Sequence, residues 1–158
     1  MNITVISVGK IKEKYFTAAI DEYLKRLSRF TKLNIIEVAD EKIPDNASEK
    51  EMEQIKEKEG NKILAKLPQN SFVVTLCIEG KEHSSEELAK KIADISMTSS
   101  HITFIIGGSL GLSDTVKSKS ALRLSFGKMT LPHQLMRVVL LEQIYRAFKI
   151  NNNESYHK

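Results

Sequence analysis

Apolar positions alternate and then run together over Ile3–Val8, which predicts a first strand ending where Gly9-Lys10 turns the chain. Phe16, Ile20, Tyr23, Leu24, Leu27 and Phe30 then recur at helical spacing, predicting a helix from Glu13 to about Phe30. Lys14, Lys25, Arg26 and Arg29 fall on its other faces. Leu33–Val38 reads as a second strand, and Asp40–Ser48 as a loop around Pro44-Asp-Asn. Ser48-Glu-Lys-Glu51 has the pattern in which a serine oxygen and a glutamate reciprocally satisfy free N–H groups at a helix start. The helix it opens runs to about Leu67, with Met52, Ile55, Ile63, Leu64 and Leu67 inward and Gly60 weakening its middle.

After a turn at Pro68-Gln-Asn, Phe72–Ile78 predicts a third strand, which Glu79-Gly80 ends. Ser84-Ser-Glu-Glu87 opens another helix through Leu88, Ile92 and Ile95. Ile102–Ile106 is a short β-branched run closed by glycines, the pattern of a strand buried on both faces. A short helix near Ser113–Ser118, a short strand near Ala121–Leu124 and a long helix from Pro132 to Ile150 complete the series. Proline suits a first helical turn, where its missing N–H costs nothing. Strands alternating with helices predict an α/β fold, a mostly parallel sheet flanked by helices. The last helix is apolar nearly all round, with a narrow polar strip of Gln134, Arg137, Glu142, Arg146 and Lys149. A helix of that kind belongs in an interior; one small sheet covers only part of it, so a second subunit is expected against it. Glu142 and Arg146 stand one turn apart and can pair.

The length of 158 residues suits one domain, 1–158, with its own core. No apolar run is long enough to span a membrane, and Met1 leads straight into a strand pattern without a signal peptide. Cys77 is the single cysteine and has no internal partner, which suits a reducing compartment. These points favour the cytoplasm. The net charge of +4 is unevenly spread: Asp40–Glu59 holds eight acids and four bases, whereas Lys117–Lys158 holds eight bases and two acids. A basic bias of this size is compatible with RNA phosphates and equally with ordinary solubilising lysines.

Gly107, Gly108 and Gly111 stand where the Ile102–Ile106 strand leaves the sheet, the edge at which open α/β sheets bind ligands. Taken alone, a ligand-binding turn and a plain strand-to-helix turn stand level. The glycine spacing is not that of a dinucleotide site, and no phosphate loop occurs. One cysteine and four scattered histidines make no metal constellation. Cys77, inside an apolar strand, reads as an inert core thiol. His83 and His101 read as surface groups, and His133 as locally bonded to its own loop. The main-chain groups of Leu131-Pro-His-Gln134 could meet the edge of a planar polar ligand.

Four segments together carry a resemblance: Gly107-Gly-Ser-Leu-Gly111; Leu124-Ser-Phe-Gly-Lys-Met-Thr-Leu-Pro-His-Gln-Leu-Met-Arg137; Leu141-Glu-Gln-Ile-Tyr-Arg-Ala147; and Tyr156-His-Lys158. With Val8-Gly-Lys10 at the other end, they resemble the ribosomal large-subunit RNA pseudouridine N3-methyltransferases, the ribosomal RNA methyltransferase H family of the SPOUT superfamily. The similarity runs the length of the chain. It implies S-adenosylmethionine as methyl donor, a homodimer, a trefoil-knotted C-terminal half, and methylation of a pseudouridine N3 on assembled ribosomes. Carried onto matching positions, the donor-binding residues are Leu76, Gly108, Gly127, Lys128, Met129, Thr130, Leu131 and Pro132. The expected catalytic residues are Tyr156, to stack on or hydrogen-bond the base, His157, which with water is a candidate to take the N3 proton, and Lys158, to meet phosphate. No metal and no membrane are implied. Asn153 stands where relatives are expected to have glycine, a substitution that left-handed backbone tolerates. Without the resemblance the tail would read as a disordered terminus. The competing function is a ribosome-associated RNA-binding protein without catalysis, which would not need an intact Ser125–Pro132 loop.

Overall fold

A computed structural model describes all residues, Met1–Lys158. Two neighbouring strands form the most deeply buried part of the sheet. They are β1 (Asn2–Val8) and β4 (His101–Ile106), buried along almost their whole length. Around them stand β2 (Lys32–Val38), β3 (Phe72–Glu82) and β5 (Leu122–Ser125). All neighbours are parallel, in the order β2-β1-β4-β3-β5. Parallel strands need crossovers, and four helices supply them: α1 (Lys14–Leu27), α2 (Glu49–Ala65), α3 (Ser85–Ser96) and α4 (Asp114–Ser118); α5 (His133–Asn151) follows the last strand.

The helices divide between the two faces. α1, α3 and α5 pack with Ile3, Val5, Phe104 and Ile106 on one side. α2 and α4 pack with Ile6, Val8, Ile105 and Cys77 on the other. The alternation of Val5 and Ile6 between the two cores is the period-two geometry of a strand with both faces covered. Ser48 and Ser84 each accept from a backbone N–H three residues on, and Glu51 and Glu87 answer, as the sequence predicts.

Three local expectations change. β3 does not end at Glu79-Gly80; after an irregularity between Leu76 and Lys81 it pairs again, Lys81 and Glu82 with Leu124 and Ser125. The chain passes so near β5 there that a Cβ on Gly80 would sit 2.6 Å from the Arg123 carbonyl oxygen. Pro132 stands at the cap of α5 with extended backbone (ψ 135°), so the first helical residue is His133. Arg137 leaves the polar strip and is only 3% exposed. Along α5, Leu140, Leu141, Ile144 and Ala147 are buried, while Leu135, Val138, Val139 and Phe148 are only partly covered.

Candidate functional site

The carboxyl ends of β3, β4 and β5 open into a cleft of about 720 Å³. Its apolar wall comes from Leu76, Ile106, Leu124 and Met136, and its polar edge from the main chain of Gly107–Gly111 and Gly127–Pro132. At one side the Lys117 ammonium donates to Glu79 across 2.6 Å, and this contact holds the Glu79 carboxyl below the usual carboxylate range. Of the residues expected to hold a donor, Leu76, Gly108, Gly127, Met129, Thr130, Leu131 and Pro132 all line the cleft, whereas Lys128 does not and is exposed. Met129 is 85% exposed and Leu131 38%, so apolar side chains stand open at the mouth. The loop has an internal pin: the Ser125 hydroxyl donates to the Ile78 carbonyl (2.8 Å) and accepts from the Gly127 N–H (3.1 Å).

The glycine turn works differently from the simple expectation of three freely turning residues. Only Gly111 has positive φ (85°). Gly107 is required by close approach, since a Cβ there would lie 2.8 Å from the Gly111 carbonyl carbon. A Cβ on Gly108 would face Val8 (3.2 Å) and Glu59 (3.4 Å), away from the cleft and into the protein. Glu59 is itself buried, accepts from the Glu41 N–H, and has its carboxyl pushed up by burial.

His133 makes no hydrogen bond to its loop, contrary to expectation; its ring lines the cleft. Burial and the neighbouring Arg137 charge push its pKa down, so the imidazole is neutral near pH 7. Arg137 donates to Glu37 (2.6 Å) and to the carbonyls of Val8 (2.9 Å) and Gly9 (2.7 Å). Sequence reading missed this clamp. Helical spacing places Arg137 on the polar strip with Gln134, so no local signal marked its burial. His101 is also no mere surface group, because its Nε2 meets the Thr4 hydroxyl at 2.7 Å and ties β4 to β1. Cys77 is free and buried, and burial raises its thiol pKa, as an inert core thiol requires.

The C-terminal tail is folded back and fixed. Asn153 has φ 54°, the left-handed conformation that its position calls for. Tyr156 packs edge-on against Tyr145 with centroids 5.0 Å apart, and the Arg146 guanidinium lies 4.6 Å from the centre of its ring. Arg146 also donates to His157 Nδ1 (3.2 Å), and His157 Nε2 meets Glu86 at 2.7 Å. Arginine can only donate, so Nδ1 is the acceptor and Nε2 carries the proton toward Glu86. Neither nitrogen is left free. Tyr156, His157 and Lys158 do not line the cleft of their own chain. No group of three or more metal-ligating side chains occurs, and no helix is long and apolar enough to cross a membrane.

A family model described as "Predicted SPOUT methyltransferase" matches residues 1–157. Two relatives are named "Ribosomal RNA large subunit methyltransferase H". The one from Clostridioides difficile (strain 630) is 60% identical and the one from Clostridium novyi (strain NT) is 62% identical, each over the full length of both chains. Among solved structures, "a probable methylase family protein from Haemophilus influenzae Rd KW20" superposes with a TM-score of 0.55 at 14% identity. That match covers 99% of this chain and 70% of the other, a likeness of fold alone.

Proposed function

The chain belongs to the SPOUT methyltransferase family, and on that premise we propose that it methylates N3 of a pseudouridine in large-subunit ribosomal RNA. The reading takes the substrate to be the assembled ribosome, in the cytoplasm, and residues 1–158 to form one catalytic unit with the family's knotted C-terminal half. The observation that carries it is the convergence of three strand ends, a glycine turn and the Gly127–Pro132 loop on one cleft. The cleft's volume lies within the roughly 300–1,000 Å³ of small-molecule sites. Apolar walls with main-chain donors and acceptors along one edge fit the two faces and the polar rim of an adenine. Leu76, Leu131 and Met129 would cover the faces, and the main chain of Gly127–Pro132 and Gly108 would meet the edge. Lys128 would contribute through its main chain.

S-adenosylmethionine bound there supplies a methyl group on a positively charged sulfur. The protein's part is then largely positioning. Methylation at N3 releases that nitrogen's proton, so an acceptor is required. Tyr156, His157 and Lys158 complete the RNA side of the site, and they do so in a homodimer, each tail serving the partner's cleft. To accept the proton at Nδ1, His157 must first let go of Arg146. A His157→Ala variant weighs that role, since a general base contributes typically about 10²–10⁴-fold. A loss below about tenfold leaves His157 as a positioning group and water as acceptor.

The deciding experiment is calorimetry with S-adenosylmethionine followed by methyl transfer to ribosomes from a strain lacking this chain. Saturable donor binding and one new methyl on a pseudouridine are expected. Ribosome binding without donor binding would favour the non-catalytic RNA-binding protein instead. Leu131→Ala, which trims an exposed apolar wall, should weaken donor binding by about tenfold.

A further inference from the structure

The β1–α1 connection leaves the sheet beside the cleft. Gly9, its first residue, lies against the first turn of α5: a Cβ there would stand 3.9 Å from Arg137 and 4.0 Å from His133 Nε2, and His133 lines the cleft. The buried Arg137 guanidinium holds the Val8 and Gly9 carbonyls, and Glu37 accepts from both Arg137 and the Ile11 N–H (3.1 Å). The loop is therefore bound at both ends of Gly9–Ile11 by one ion pair. From this fixed base the chain presents Lys10, Lys12 and Lys14, all exposed, with Glu13 as the one acid among them. None of the three lysines pairs with a carboxylate. Tyr15 follows, 68% exposed, its ring tilted against that of Phe16 at 4.6 Å between centroids.

We propose that Lys10–Tyr15 is an RNA-binding rim of the cleft, with Tyr15 as a stacking platform for an unpaired base and the three lysines on the flanking phosphates. The proposal rests on the reading that ribosomal RNA is the substrate. An exposed tyrosine offers a flat face that accepts any base, and stacking of this kind needs no sequence code. Clustered cations beside it supply the phosphate contacts that fix register. Arg137 and Glu37 act here as positioning residues, since they hold the loop and do not touch the RNA. A rim of this kind also complements the cleft itself, whose wall is mainly apolar and carries little charge for a polyanion.

The test is binding of wild type and variants to purified large ribosomal subunits over a series of salt concentrations, with calorimetry of S-adenosylmethionine alongside. Tyr15→Ala should weaken ribosomal binding by about tenfold, and Tyr15→Trp should restore it. Replacing Lys10, Lys12 and Lys14 together by Gln should flatten the slope of log affinity against log salt by about two, at roughly 0.7–0.9 per lost phosphate contact. Donor affinity should stay unchanged in every variant. Unaltered ribosomal affinity and salt slope would overturn the proposal. So would a change of oligomeric state in light scattering, which would make the patch a subunit contact. A wild type that binds subunits but transfers no methyl would defeat the methyltransferase reading and leave the rim intact.

Discussion

The Tyr156 hydroxyl donates to Glu142 Oε1 across 2.7 Å, and the same carboxylate oxygen accepts from Arg146 at 2.9 Å. One acidic side chain in the middle of α5 thus holds both the tail and the cation that reaches on to His157. The tail is also anchored at its start, where Arg29 donates to Glu154 across 2.6 Å. A polar stretch that looks like a loose end is held by side chains as far away as Arg29 and Glu86, and by the backbone turn after α5, where the Glu154 N–H donates to the Lys149 carbonyl.

Ionising Tyr156 should release the tail. Burial first, and the Glu142 carboxylate second, push its pKa from 10.0 up to about 12. A raised folded value means that the docking contribution is complete below pH 10 and is lost as pH rises through about 12. In a tyrosinate absorbance titration the last-titrating component should vanish in Tyr156→Phe. Survival of that component would assign it to another tyrosine.

Gly60→Ala should destabilise the fold despite the helix-forming preference of alanine. The new Cβ would lie 2.6 Å from Ser113 Oγ and 3.0 Å from Val116. Ser113 is buried and caps α4 through the Val116 N–H, so it has little room to move. Overpacking costs about 1–3 kcal/mol and the propensity gain returns at most about 1. A net loss near 1 kcal/mol or more is expected in urea unfolding. Ser113→Ala in the same background should recover part of it.

Arg137→Ala should cost more, about 2–4 kcal/mol, because it strands the Val8 and Gly9 carbonyls and a partly exposed Glu37 carboxylate. Glu37→Gln keeps an acceptor for Ile11 and Arg137 and should lose less. Equal losses for the two, measured by denaturant midpoint, would mean that the charge rather than the carbonyl contacts dominates.

Light scattering at micromolar concentration should return a dimer. Leu135, Val138 and Val139 are left only partly covered on α5, and each leucine-sized burial contributes roughly 1.5–3 kcal/mol. Val139→Glu should shift the protein to monomer while preserving its helical circular dichroism. A monomeric wild type would remove α5 as a subunit contact.

The order and type of all ten elements were legible in the chain, down to the serines that cap α2 and α3. Their signals are local: a period of two or 3.6 and a capping serine depend only on residues within a turn or two. The end of β4 was legible for the same reason, as a short apolar run stopped by glycine; that this end opens on a cleft depends on how the Gly127–Pro132 loop returns to it. Arg137 was not, because helical spacing puts it on the polar strip and only the approach of Val8 and Gly9, more than a hundred residues earlier, gives it buried acceptors. The inward face of Gly108, the resumption of β3 at Lys81 and the docking of Tyr156 on Glu142 were likewise settled by which surfaces meet. Sequence by itself determined where the backbone would be straight, coiled or turned. Tertiary structure decided which polar groups would be buried and by what they would be satisfied, since a hydrogen bond or a close contact depends on distance in space and is blind to separation along the chain.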